Sequence, residues 1–147
     1  MKRFVNYFKN LSDRARGALL TVFITLLVLI WFFGPVLAHP NKYFFDKSGD
    51  GLLTYYYATY QLKYDSTYWH IGASNYPYGE SVFFSSDQPV LTATLRFINK
   101  HLFTIEDCVP GIFNSIMLYS FCLCALFIFL ILYEFKLNKY YAALFAV

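Results

Sequence analysis

The chain has 147 residues, of which 58% are hydrophobic and only 14% charged, and its formal net charge is +3. Soluble domains carry about a quarter charged residues, so this composition excludes a disordered tail and argues for a membrane protein. So small a net charge implies no basic surface for nucleic acid, and 14 Tyr and 17 Phe suit a membrane–water boundary.

Residues 1–16 form a basic cytoplasmic lead with Lys2, Arg3, Lys9, Arg14 and Arg16. Residues 17–38 then run without a charge, long enough for a first transmembrane helix. Trp31, Phe32 and Phe33 mark its far interface, and Gly34-Pro35 predicts a kink or stop. A basic lead, an apolar run and Val36-Leu37-Ala38 also resemble a cleaved signal peptide, although both lead and core are long for one. Residues 109–133 form a second uncharged span, in which Asn114, Ser115 and Ser120 are expected to face another helix. Residues 134–139 read as a cytoplasmic turn with Lys136 and Lys139. Residues 140–147 cover only about 12 Å as a helix, too short to cross. They read as the start of a third transmembrane helix, cut short, in an amino-terminal piece of a multi-span protein.

The fold class expected is therefore all-α integral membrane, with a large extracytoplasmic loop carrying amphipathic surface helices. The basic flanks put the amino terminus in the cytoplasm. Residues 39–108 lie outside, where Lys42, Lys47, Lys63, Arg96 and Lys100 are outnumbered by carboxylates. A bacterial inner or plasma membrane fits this layout. Cys108, Cys122 and Cys124 lack disulfide or metal spacing and read as small apolar residues.

A loop of about 70 residues is too long for a plain connector. Residues 46–51, Asp-Lys-Ser-Gly-Asp-Gly, open it with turn chemistry. They match the start of a calcium-binding EF-hand loop, but Tyr57 stands where the bidentate Glu belongs. A helix follows over 51–63, with Leu53, Tyr57, Tyr60 and Tyr64 as its apolar face, widened by Leu52 and Tyr56. An aromatic, turn-rich stretch holds Trp69, His70, Tyr76, Tyr78 and Glu80. A second helix begins near Asp87-Gln88-Pro89, with Leu91, Leu95, Ile98 and Leu102 as its stripe. Glu106 and Asp107 lead into the second span.

Asp50, between two glycines just past the first span, is the first candidate for chemistry. It could deprotonate an acceptor hydroxyl as a general base, or hold a divalent metal ion by oxygen ligation. The plainer alternative is that it caps the helix beginning at Gly51. Asp87 is the second catalytic candidate, with the same alternative. His70, Tyr76 and Glu80 are candidates for substrate binding; their alternatives are an inert surface His, an interfacial Tyr and a solvated carboxylate. Arg96, with Lys100, could bind a lipid phosphate, or simply lie on an exposed helix face.

The basic start, single span, large outer loop with an early Asp, and the wording Gly49-Asp50-Gly51, Asn75-Tyr76-Pro77-Tyr78-Gly79-Glu80 and Asp87-Gln88-Pro89 together resemble membrane glycosyltransferases of the GT-C superfold. The likeness is to uncharacterised multi-span bacterial members and covers the chain only as the beginning of one. It implies a polyprenyl- or dolichyl-phosphate-linked sugar donor, membrane lipid as a partner, and catalysis or metal binding at Asp50 with Asp87 as a weaker match. The paired acidic residues of the better-known mannosyltransferases are missing, because Gly51 follows Asp50. The resulting expectation is inverting sugar transfer at the extracytoplasmic face. The alternatives are a non-enzymatic, membrane-anchored binding or assembly module with an aromatic loop, and a fragment without a stable fold. Donor, acceptor and oligomeric state stay open.

Overall fold

A computed structural model describes residues 12–45, 48–85 and 88–147. Of the described residues, 71% are helical. In order, the elements are α1 (Asp13–Ala38), α2 (Gly49–Lys63), strands β1 (His70–Ile71) and β2 (Glu80–Ser81), α3 (Val82–Ser85), α4 (Pro89–His101), a 3-10 turn (Glu106–Cys108), α5 (Val109–Glu134) and α6 (Lys139–Phe145). The antiparallel pair β1–β2 corrects the all-α expectation in one small place. It forms where Gly and Pro interrupt helical periodicity and a turn brings the chain back on itself.

α1 and α5 are each 26 residues long, about 39 Å at helical rise, and apolar enough to cross a membrane. α1 breaks at Phe33 (φ −120°, ψ 20°), two residues before Pro35. Proline has no N–H to donate, and its ring crowds the carbonyl one turn earlier.

The chain divides into two compact units. The first holds residues 12–34 and 116–147 among those described. Its small residues set the packing. Gly17 has only hydrogen facing the ring of Phe129, which is completely buried; a Cβ there would sit 2.4 Å from Cζ. Ala142, Ala143 and Ala146 pack against the same ring. Small side chains let helix backbones approach closely where lipid provides no hydrophobic drive. Thr21 and Thr25 are buried and bond back to the carbonyls of Gly17 and Thr21. At the polar end Lys139 donates to Asp13, Arg14 lies 3.5 Å from Glu134, and Asn138 caps α6 by accepting from the Tyr140 N–H. Ser120 is exposed and bonds its own helix at Met117 O.

The second unit is residues 35–115. Its core is Tyr55, Ala58 and Leu62 of α2, Leu95 of α4, and Ile105, Val109 and Phe113. The inner face of α2 is therefore Tyr55–Ala58–Leu62, not the expected Leu53–Tyr57–Tyr60–Tyr64 stripe. Leu53 is 44% exposed and Tyr64 71%. Apolar side chains surround α2 nearly all the way round, so periodicity selects no face; Ala58, fully buried, marks the closest approach. The outer tyrosines stack on one another instead, Tyr56 on Tyr60 and Tyr60 on Tyr64. On α4, Leu91, Leu95 and Ile98 do face inward. Leu102 is exposed and follows the helix as its C-cap, correcting its place in the stripe.

Asn114 organises the start of α5. It is fully buried; its Nδ2 donates to Pro40 O and Tyr43 O at 2.6 Å each, and its Oδ1 accepts from the Tyr55 hydroxyl. Asn41 Oδ1 accepts from Gly111 N–H at 2.8 Å. Asn114 does face another helix, because its partner Tyr55 stands on α2, and it also fastens residues 40–43 to the head of α5. Ser115 bonds to Gly111 O in its own helix.

Candidate functional site

Asp50 lies inside the first turn of α2 and is exposed. The cap position belongs to Ser48, which makes no side-chain cap hydrogen bond, so the capping alternative for Asp50 is corrected. A carboxylate in a first turn still gains from the unpaired N–H groups and the helix dipole. Among the described residues no group of three or more His, Cys, Asp or Glu could hold a metal ion. Asp87, the Asp46-Lys47 part of the opening turn, and Lys2, Arg3 and Lys9 lie outside the described residues.

A groove of about 800 Å³ runs along α2; it takes in Gly49, the residue before Asp50, but Asp50 does not line it. Gly49 forms its near end. Leu52, Leu53, Tyr56, Phe44, Tyr55 and Pro110 make apolar walls, and Thr59, Lys63, Glu106 and Asp107 line the rest. Leu52, Leu53, Tyr56 and Lys63 share one side of α2 because they recur at three- and four-residue steps. Pro110 is in the first turn of α5, so the groove lies at the level where that apolar helix begins. At the charged end Lys63 Nζ bonds Asp107 Oδ1 at 2.8 Å. This bond, with the nearby Glu106, holds the Lys63 ammonium above its ordinary pKa.

His70, Tyr76 and Glu80 sit in one hairpin, but not around one pocket. The register pairs His70 with Ser81 and Ile71 with Glu80. Successive strand residues alternate faces, so His70 and Glu80 point to opposite sides. Ile71 is fully buried on the Glu80 side. The His70 ring lies over Gly79, where a Cβ would come within 2.1 Å of Nε2. Asn75 O accepts from the N–H groups of Tyr78 (3.0 Å) and Gly79 (3.2 Å), and Asn75 and Gly79 both take positive φ. That turn leaves Tyr76 87% exposed. Trp69 stacks on Phe83 at 5.5 Å between centroids, and both are more than half exposed.

The hairpin is anchored at the carboxyl end of α2. Gln61 Nε2 donates to Tyr68 O (2.7 Å), and Gly72 N–H donates to Asp65 Oδ1 (3.0 Å). Asp50 is at the opposite end, and the helix rises about 20 Å between Asp50 and Lys63. The structure thus separates Asp50 from the anchors that hold His70 and Glu80.

Arg96 departs from both expectations for it. It is only 5% exposed; its guanidinium donates to the carbonyls of Thr67 and Asp65 and lies 5.2 Å from the centre of the Tyr68 ring. Burial lowers its pKa, while Asp65 and Tyr68 act in the opposite direction. Arg96 ties the 65–68 turn to α4 and is neither an exposed surface cation nor a freely offered lipid-phosphate ligand. The groove and the Arg96 clamp are the features that sequence reasoning missed. A Gly-Leu-Leu run beside an acidic approach to a span was the available signal for the groove. Comparison with known protein families, characterised proteins and solved structures finds no match.

Proposed function

We propose that residues 35–115 form the extracytoplasmic, lipid-handling part of a membrane protein that acts on a polyprenyl-phosphate-linked sugar, with glycosyl transfer as the reaction. The observation that carries this reading is the groove: a long apolar trough, charged at one end, level with the start of an apolar span. A lipid chain laid along Leu52, Leu53 and Tyr56 gains about 0.8 kcal/mol for each methylene it buries. At the charged end Lys63 offers ammonium protons to a phosphate, while Glu106 and Asp107 accept from sugar hydroxyls. Asp50, exposed and next in the chain to Gly49 of the groove, is the general base proposed for the acceptor hydroxyl.

The test uses the protein in lipid nanodiscs, titrated with a short-chain polyprenyl phosphate. Leu53 is exposed, so Leu53→Glu spares the core while placing a charge in the trough; it is expected to weaken binding at least tenfold. Binding unchanged by Leu53→Glu overturns the groove. Transfer of labelled sugar from the lipid-linked donor in membranes is expected to fall about 100-fold or more with Asp50→Asn, the lower range for removal of a general base.

A second reading, a non-enzymatic docking module, is favoured by the Trp69–Phe83 stack and the exposed Tyr76 and Tyr78. Under it, Asp50→Asn leaves activity of the parent membrane unchanged while Trp69→Ala removes partner capture.

A further inference from the structure

A groove of about 530 Å³ runs along α1 in the first unit, with Tyr140 of α6 at its rim. Arg16, Leu19, Phe23 and Leu26 line it at three- and four-residue steps, so they share one face over about 15 Å of helix. Leu20 and Val22 complete the walls. Arg16 is the last charged residue before the uncharged run of α1. With α1 across a membrane, the groove is cationic at the boundary with water and apolar from there inward. Another face of α1 is built differently. Gly17, Thr21 and Thr25 follow one another at four-residue steps and are buried within the unit. Small residues of this kind are what membrane helices use to approach one another. Among the described residues, none that lines the groove is Gly, Ala, Ser or Thr. Leu19, Phe23 and Leu26 are all more than two-fifths exposed. Large side chains around an open trough suit an acyl chain, which bends to their shape, and hold off a second helix backbone.

The rim adds a preference for negative charge. Asp13 accepts from Lys139 and lies 3.7 Å from the Arg16 guanidinium, so one carboxylate faces two cations. Lys139 Nζ also lies 5.3 Å from the centre of the Tyr140 ring. Arg14 is matched by Glu134, which leaves this end of the unit with a positive surplus. A guanidinium is a planar fork that fits two phosphate oxygens, and a Tyr hydroxyl at headgroup level donates a further hydrogen bond. We propose that this groove is a binding site for an anionic phospholipid, its phosphate on Arg16 and Tyr140 and one acyl chain along Leu19, Phe23 and Leu26. The site uses no residue of the α2 groove, so it stands or falls apart from the reading of that groove as a site for a lipid-linked sugar.

The test is native mass spectrometry of the delipidated protein in detergent micelles, titrated with phosphatidylglycerol and phosphatidylcholine of matched acyl chains. The first phosphatidylglycerol is expected to bind about fivefold more tightly than the first phosphatidylcholine, the weight of one cation beside an anionic headgroup. Arg16→Gln is expected to bring that ratio close to one. Lys136→Gln removes an exposed cation that does not line the groove and is expected to leave the ratio unchanged. Leu26→Trp fills the apolar end from a part-exposed position; it is expected to weaken both lipids about threefold or more while keeping the ratio, and circular dichroism checks that each variant keeps its helices. Three results overturn the proposal. Equal binding of the two lipids removes the headgroup preference. An equal loss with Lys136→Gln makes the attraction one of diffuse charge. A dimer that forms on delipidation and excludes added phosphatidylglycerol makes a second copy of the chain the occupant.

Discussion

Replacing Asn114 by Leu probes how residues 40–55 are held to the first turns of α5. The substitution keeps the side chain's approximate size and removes three hydrogen bonds at once. The hydroxyl of Tyr55, a residue only 7% exposed, loses its acceptor, and the carbonyls of Pro40 and Tyr43 lose their donor. A buried polar group left unpaired costs about 1–3 kcal/mol. Tyr43 is 40% exposed, so water can recover part of that loss, and the net cost expected is about 3 kcal/mol. Tyr55→Phe removes only the hydroxyl, which strands Asn114 Oδ1 and takes the acceptor from the Phe45 N–H, for about 1–2 kcal/mol. In the double variant neither partner is stranded, so the two losses should overlap by about 1–2 kcal/mol. The assay is equilibrium unfolding in mixed micelles, followed by the fluorescence of Trp69, which belongs to the same unit. Losses that add to within about 0.5 kcal/mol would refute the coupling. A loss below about 1 kcal/mol for Asn114→Leu would show that Asn114 does not hold residues 40–55 to the start of α5.

Three further outcomes follow from the geometry. The Lys63–Asp107 bond raises the Lys63 pKa, so its stabilising effect is fully present below the unfolded-state value of about 10.4 and is lost as pH rises through the higher folded value. The wild type should therefore lose stability in that alkaline range relative to Asp107→Asn; parallel pH profiles would contradict this, and the comparison cancels tyrosine titration common to both proteins. Gly79→Ala meets two obstacles together, a φ of 71° and the His70 ring within 2.1 Å of the new Cβ. It should cost about 1–3 kcal/mol and speed amide exchange at Ile71 and Ser81, and unchanged exchange there would count against the hairpin as described. Gly17→Leu drives a side chain into Phe129 and should destabilise the first unit by about 1–3 kcal/mol, read as faster proteolysis in the 135–138 turn; wild-type cleavage rates would show that the Gly17–Phe129 contact does not form.

The element order was legible because it rests on local signals: uncharged length for α1 and α5, Pro89 opening α4, and turn residues on either side of α2. What escaped the sequence depends on contacts distant along the chain. Asn114 was visible as a polar residue in an apolar run, but its partners at positions 40, 43 and 55 are brought to it only by folding. Arg96 was assigned to the surface because isolated cations are seldom buried; it is buried because the carbonyls of Asp65 and Thr67 converge on it. For the candidate site, residues of suitable type were visible at Asp50, His70 and Glu80, yet chemistry depends on which of them meet. Strand alternation parts His70 from Glu80, and the length of α2 stands between Asp50 and the hairpin's anchors.

The same separation bears on mechanism. If Asp50 acts as a base, its reacting partner must lie at the amino end of α2, where the walls are Phe44, Leu52 and Leu53 and no other described side chain from the candidate set is placed. The polar groups of the groove able to recognise a hydroxylated ligand are at the other end, at Lys63, Glu106 and Asp107. A ligand served by both ends must therefore reach about 20 Å along the helix, a span suited to an amphiphile with a chain and not to a compact sugar. Binding of the lipid portion and recognition of the sugar should then respond to different substitutions: Leu53→Glu should affect long-chain ligands while sparing a short-chain sugar phosphate, and Asp107→Asn should do the reverse. Equal effects of both substitutions on both ligands would place the two functions in one pocket and remove the extended arrangement.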